Sequence, residues 1–250
     1  MTYFSGCGIV FLPPGEYMEE KFTFKKIESK ENLLEAFKLR FQVYCKECNF
    51  INESDCLLGI ETDEFDDHSA HFGAFDHQNF LVGGVRLILP SCDKFPIEDH
   101  CKELNIDYRV TPRGQCGEIS RLTISKLFRR RANDGLYYEP QVDDQTVEDK
   151  GMYFLRRVRP MAFGLYRAMY QESKRIGVNH WFALMEPKLW MLLKIHGFVF
   201  RPIGPQVDFY GMVTPYTVDI PELEKNVYSK FPQFFSYFME DLEPELQPKF

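Results

Sequence analysis

Gly117-Glu118-Ile119-Ser120-Arg121-Leu122-Thr123-Ile124-Ser125-Lys126-Leu127-Phe128-Arg129-Arg130-Arg131 is the stretch on which the fold turns. The β-branched Ile119, Thr123 and Ile124 suit a strand. Alternation then places Glu118 and Ser120 on one face, and Ile119 and Arg121 on the other. A carboxylate and a guanidinium near the middle of a strand make poor plain core, because unpaired buried charge is costly. The strand leaves through Lys126, Arg129, Arg130 and Arg131, a cationic exit. A carboxylate inside a sheet beside a basic mouth suggests a base acting on a substrate with an anionic tail. The alternative reading is a Glu118–Arg121 ion pair followed by a solvated charge run.

Working outward, the 250 residues suffice for one substantial core or two small ones. No repeat or linker divides them, so a single domain is expected over 1–250. Aromatic residues make up 16% of the chain, with 24 phenylalanines, enough to line a slot for an aliphatic chain or to fill an ordinary core. A net charge of −7 argues against general nucleic-acid binding, which depends on neutralising phosphates. The basic segments 109–131 and 156–175 would still steer an acidic partner. No apolar run is long enough to span a bilayer, and the N-terminus lacks the features of a secretory signal. Seven irregularly spaced cysteines point to free thiols in a reducing, cytoplasmic setting. Cys45, Cys48, Cys56, His68 and His71 make a weak zinc set, because Cys45 and Cys48 fall within a helical pattern and no second CxxC follows. Cys116 has no histidine near it in sequence to activate it as a nucleophile.

In chain order, residues 1–20 read as an irregular arm and 21–27 as a strand. Residues 30–48 read as a helix capped by Ser29, and 51–70 as an acidic loop. Two antiparallel strands (71–76 and 80–89) and a short helix within 95–104 lead to the Glu118 strand. Residues 132–150 lack periodicity and read as a flexible insertion, a candidate lid. A long helix over 151–177, a strand at 181–184, a helix at 187–196, closing strands at 198–201 and 206–218, and an amphipathic segment at 221–242 complete an α/β class chain with a mixed sheet.

Several segments carry a resemblance. Arg40-Phe41-Gln42-Val43-Tyr44, Phe50, Glu61-Thr62-Asp63-Glu64-Phe65-Asp66, Gly83-Gly84-Val85-Arg86-Leu87 and Glu118-Ile119-Ser120-Arg121-Leu122 resemble, in order, motifs of the acyl-homoserine-lactone (autoinducer) synthases. They are also similar to those of the N-acyl amino acid synthases of the GNAT superfamily. Residues 184–216 resemble the exosortase-associated (PEP-CTERM) acyltransferase subgroup, departing from it at Tyr210 and at Met212-Val213. The resemblance implies a GNAT-like three-layer α/β/α sandwich around a mixed, splayed sheet. It further implies transfer of a fatty acyl group from a thioester to a small-molecule amine.

On that basis Glu118 is the expected base, with Ser120 orienting a water or the amine. Arg40, Phe50, Glu61, Asp63, Asp66, Arg86 and Arg121 fall at positions near the family's amino-substrate pocket. Carboxylates there suit an ammonium and arginines a carboxylate, unless these groups simply pair with one another. The glycine-rich coenzyme A turn of ordinary GNAT acetyltransferases is missing. Lys126, Arg129, Arg130 and Arg131 remain, which favours a donor carried on the phosphopantetheine arm of acyl carrier protein, with acyl-CoA second and no permanently bound cofactor. The expected product is an N-acyl amino acid. The alternatives are a homoserine lactone made with S-adenosylmethionine, a non-catalytic acyl- or carrier-binding sensor, and a protein-lysine acetyltransferase.

Overall fold

The computed structural model describes residues 22–126 and 147–250, with 147–160 as backbone only. The terminal arm and residues 127–146 lie outside it, and with them most of the expected insertion and Arg129, Arg130 and Arg131.

The chain opens with strand β1 (Phe22–Lys26) and helix α1 (Lys30–Phe41). Ser29 caps α1 as expected, its Oγ accepting the Asn32 N–H at 3.1 Å. The periodicity predicts one helix reaching Cys48, but the α-helical turns stop at Phe41 and a π-helical turn, Gln42–Glu47, continues them. Strands β2 (Ser69–Asp76) and β3 (Leu81–Ile88), helix α2 (Pro96–His100) and strand β4 (Cys116–Ile124) follow. Helix α3 (Val147–Ile176) begins four residues before the expected Gly151, so 147–150 belong to the helix and not to an insertion. Gly177, at φ +76°, ends it, the left-handed cap that glycine adopts without steric cost. Strand β5 (His180–Met185), helix α4 (Pro187–Ile195), the two-residue strands β6 (Arg201–Pro202) and β7 (Val207–Asp208), and strand β8 (Met212–Asp219) come next. Helices α5 (Ile220–Lys230) and α6 (Pro232–Met239) close the described chain, parted at the expected Pro232 interruption.

The sheet order is β1-β2-β3-β4-β5-β8-β6, with β7 paired to β8. Every pairing is antiparallel except β4 with β5. Helix α3 lies across β1, β2 and β3, and α1 covers β3 and β4. The larger core joins Phe72, Val85, Leu87 and Ile119 to Leu165, Tyr166 and Met169 of α3 and to Phe234 and Phe238 of α6. A smaller core of Ile88, Phe95, Ile97, Cys116 and Phe182 gathers around α2. Among the described residues no helix is long and apolar enough to cross a membrane.

Candidate active site

Strands β4 and β5 pair only from Cys116↔His180 to Ile119↔Ala183. Beyond that rung β5 keeps its ladder with β8 through Met185↔Thr214 and β4 keeps its own with β3, so the two strands part. A cavity of about 120 Å³ opens in the gap, its walls including Glu118, Ile119, Ser120, Arg121 and Leu122 from β4 and Ala183, Leu184 and Met185 from β5. Tyr166 of α3 and Leu189 of α4 line it with them, as do Tyr44, Phe50, Phe209 and Tyr210. The cavity is therefore a break through the sheet, reached by side chains of both faces. The reading of a phenylalanine-lined slot is corrected: of the described phenylalanines only Phe50 and Phe209 line the cavity, with aliphatic side chains and three tyrosines making up most of the rest. Phe163, Phe198, Phe234 and Phe238 instead pack edge-on and tilted against one another in the core, with centroids of Phe163 and Phe234 4.9 Å apart.

Glu118 stands on the last paired rungs, opposite Ile88 and beside Phe182 in register. It is 1% exposed, and its Oε2 accepts the Ile97 N–H at 2.9 Å. Burial pushes its carboxyl up to about 8; the Ile97 N–H and the Arg86 and Arg121 charges only moderate the rise. The Glu118–Arg121 ion pair of the alternative reading does not form. Arg121 pairs instead with Glu61 and Asp63.

The cause lies in the backbone. Arg86 opposes Ser120 and Gly84 opposes Thr123, so Arg121 and Leu122 together face the single residue Val85. Arg121 has φ +53°, the left-handed conformation found at the first position of one type of β-bulge. The bulge breaks the alternation that would send Arg121 to the face opposite Ser120. Its guanidinium instead reaches the acidic loop that Arg86 also grips, and Tyr44 donates its hydroxyl to the Leu122 carbonyl at 3.2 Å.

Six of the expected substrate-binding side chains close a ring. Arg40 bonds Glu61 and, through both Nη atoms, Asp66 (2.6 and 3.1 Å). Arg86 bonds Asp66 at 2.7 Å and Asp63 at 3.0 Å. Arg121 bonds Asp63 and Glu61, each at 2.9 Å. Every carboxylate thus bridges two guanidiniums. Burial works to raise the Glu61 and Asp66 carboxyls, but the arginines outweigh it and hold both below the usual range. His71 abuts Asp66 at 3.7 Å, yet burial pulls its imidazole down to about 4, so it is neutral at pH 7. The ring fastens the 61–66 loop to the sheet. Of its members only Arg121 also lines the cavity, where Phe50 joins it.

Ser120 Oγ accepts from Arg86 Nε at 2.9 Å, which leaves its own proton free to donate toward the cavity. Lys126 is exposed just past the end of β4. Burial pushes the Cys116 thiol up to about 11, and its Sγ donates to the Pro112 carbonyl, which leaves it inert. Among the described residues no three His, Cys, Asp or Glu side chains converge on a metal position. Sequence reasoning passes over Tyr166, Met185, Leu189 and the Ile97 N–H, because their approach to Glu118 is purely tertiary. Tyr210, noted as a departure from a subgroup, stacks on Phe50 at 6.4 Å over the cavity.

A family model described as an acetyltransferase (GNAT) domain matches residues 39–138. The crystal structure of TofI in a ternary complex with an inhibitor and MTA superposes with a TM-score of 0.59 at 16% identity, over 91% of this chain and 100% of that one. The chain has the GNAT fold. LasI, an AHL synthase, superposes with a TM-score of 0.53 at 13% identity, over 83% of this chain and 94% of its own. BjaI, a CoA-dependent acyl-homoserine lactone synthase solved with SAM and isopentyl-CoA, gives a TM-score of 0.51 at 18% identity, over 92% and 95%. No curated protein matches the chain in sequence. The parted β4 and β5 are thus the central feature of a GNAT sheet, and Glu118 sits where they diverge. The likeness of residues 184–216 to the exosortase-associated subgroup finds no support in these matches.

Proposed function

We propose that the protein is an N-acyltransferase that moves an acyl chain from a thioester to the amine of S-adenosylmethionine, on the way to an acyl-homoserine lactone. The observation that carries acyl transfer is Glu118, a buried carboxyl at the break in a GNAT sheet. The structural likenesses to LasI and BjaI support the lactone over the N-acyl amino acid expected first. The second reading keeps the same chemistry with a free amino acid as acceptor.

In this reading the acyl chain lies along Ile119, Leu122, Met185, Leu189 and Val213, and the thioester carbonyl sits in the break. Backbone N–H groups on the inner edges of the parted strands receive the oxyanion as the amine attacks. The attacking nitrogen must shed a proton. An α-ammonium and a carboxyl near 8 are closely matched, so transfer to Glu118, directly or through a water held by Ser120, is nearly isoenergetic. Collapse of the tetrahedral adduct breaks the C–S bond and releases the donor thiol. The methionyl carboxylate then closes the lactone by displacing methylthioadenosine. Arg121, reaching from the ring to the cavity wall, would orient that carboxylate. Lys126 with Arg129, Arg130 and Arg131 would face acyl carrier protein, and acyl-CoA is the alternative donor.

The test is incubation with S-adenosylmethionine, or with an amino-acid mixture, against panels of acyl carrier and acyl-CoA thioesters. Mass spectrometry should find acyl-homoserine lactone and methylthioadenosine in equal amounts. N-acyl amino acids instead would support the second reading, and thiol release with neither acceptor would sink both.

A further inference from the structure

Cys45 and Cys56 meet beside the cavity. Cys45 follows Tyr44 on the π-helical turn and is 1% exposed, whereas Cys56 is partly exposed after the turn Glu53–Asp55. Their sulfurs lie 3.4 Å apart, one thiol donating to the other. Cys92 and Cys116, by contrast, direct their thiols at backbone carbonyls of Lys94 and Pro112. The chain between the paired sulfurs carries Phe50 and Ile51, both walls of the cavity. That loop is held by the Lys46–Glu53 ion pair and by the Phe50 N–H on the Tyr44 carbonyl at 2.8 Å.

We propose that Cys45 and Cys56 form a thiol-oxidation site that closes to an intramolecular disulfide and clamps the loop bearing Phe50 and Ile51. The inference does not depend on the acyl-transfer reading. The oxidant is a small disulfide of the glutathione class. The Cys56 thiolate attacks one of its sulfurs, expels one glutathione as the thiol and leaves a mixed disulfide. Cys45 Sγ then attacks the Cys56 sulfur, its proton passing to water, and the second glutathione leaves. Two cysteine thiols have lost two hydrogens, and one oxidised glutathione has become two reduced ones. The division of labour follows from exposure. Burial, reinforced by the bond to Cys56 and the nearby Glu61, pushes the Cys45 thiol up to about 12 and shields it from outside reagents. Capping Cys56 removes one of those influences and presents a sulfur against which Cys45 already rests.

The full-length protein is treated with oxidised glutathione, denatured, alkylated and mapped by peptide mass spectrometry. The expected result is loss of two of the seven alkylatable thiols, recovered as one Cys45–Cys56 linked peptide that dithiothreitol reverses. Cys56→Ala should leave Cys45 fully alkylatable, and Cys45→Ala should hold a glutathione adduct on Cys56 that the wild type sheds. Cys48→Ala should change nothing. Retention of all seven thiols, a lasting adduct on wild-type Cys56, or a link through Cys48 would each overturn the proposal. The wild-type map decides the matter even if a variant fails to fold.

Discussion

Glu118 is costly to charge where it stands, because Ile88 and Phe182 flank it and a single backbone N–H solvates it. Its carboxyl therefore titrates at about 8 in the folded protein, against about 4.5 in the unfolded chain. A base is competent only when deprotonated, so kcat/KM should rise with pH and level off above about 8. Glu118→Gln should lose ~10²–10⁴-fold in kcat while retaining thioester binding, with any remaining rise that of the free amine alone, checked by pH-rate profiles and a binding titration. The sensor reading requires instead that the variant bind as wild type and that neither protein turn over. Between about 4.5 and 8 the folded state holds a proton that the unfolded state has released, so this group's contribution to stability falls as pH rises through that window. The amide introduced by Glu118→Gln keeps an acceptor for the Ile97 N–H and carries no such proton. The variant's urea midpoint should equal wild type near pH 4 and exceed it near pH 9. That a carboxyl stands on a strand of the sheet was legible in the sequence, but its neighbours and the direction of its titration were not.

At the scale of elements, the β4 bulge and the loop tied to it carry the structural logic. The ring of Arg40, Glu61, Arg121, Asp63, Arg86 and Asp66 is charge-balanced and nearly dry, with Arg86 1% and Arg40 3% exposed. Removing one member strands its partners. Asp66→Asn should cost about 3–5 kcal/mol in urea unfolding, because Arg40 and Arg86 both lose a buried carboxylate. The ring's carboxyls are held below their ordinary range. Their stabilisation is thus complete above about pH 5 and fades as pH falls further, and the variant should flatten this acid limb. Helix α3 makes a second test. A Cβ at Gly164 would overlap the Phe24 ring of β1, so Gly164→Ala should destabilise by ~1–3 kcal/mol through overpacking, read by thermal denaturation. The residues of the ring were all legible as a set. Their mutual pairing stood there as one of two readings; what decides it, Arg121 leaving the strand's alternation, was not legible.

For the whole molecule, the governing fact is that a single parallel pairing in an otherwise antiparallel sheet ends after four rungs. The parting opens a site rather than a core, since each strand stays anchored to its outer neighbour while side chains from both layers line the gap. The chain is acidic overall, at −7, with a basic exit past β4. If that exit meets an acidic carrier, replacing Arg129, Arg130 and Arg131 by Glu should raise KM about tenfold or more for carrier-borne thioesters, least at high salt, and leave acyl-CoA turnover nearly unchanged. Equal rates with both donors would mark the run as solvated charge.

Most of the order of strands and helices, the Ser29 cap, the stop at Gly177 and the strand bearing Glu118 followed from the sequence alone, whereas the strand expected over 206–218 divides into β7 and β8. These are consequences of local periodicity and of backbone preferences that a few neighbouring residues decide. The tertiary structure alone decided where β4 and β5 part, which way Arg121 points and which sulfur Cys45 meets. Arg121 and Glu61 are 60 residues apart in sequence. Periodicity tells which face a side chain takes only while the ladder stays regular. A bulge or a parting is imposed by the partner strand, and no local pattern records where that partner will stop.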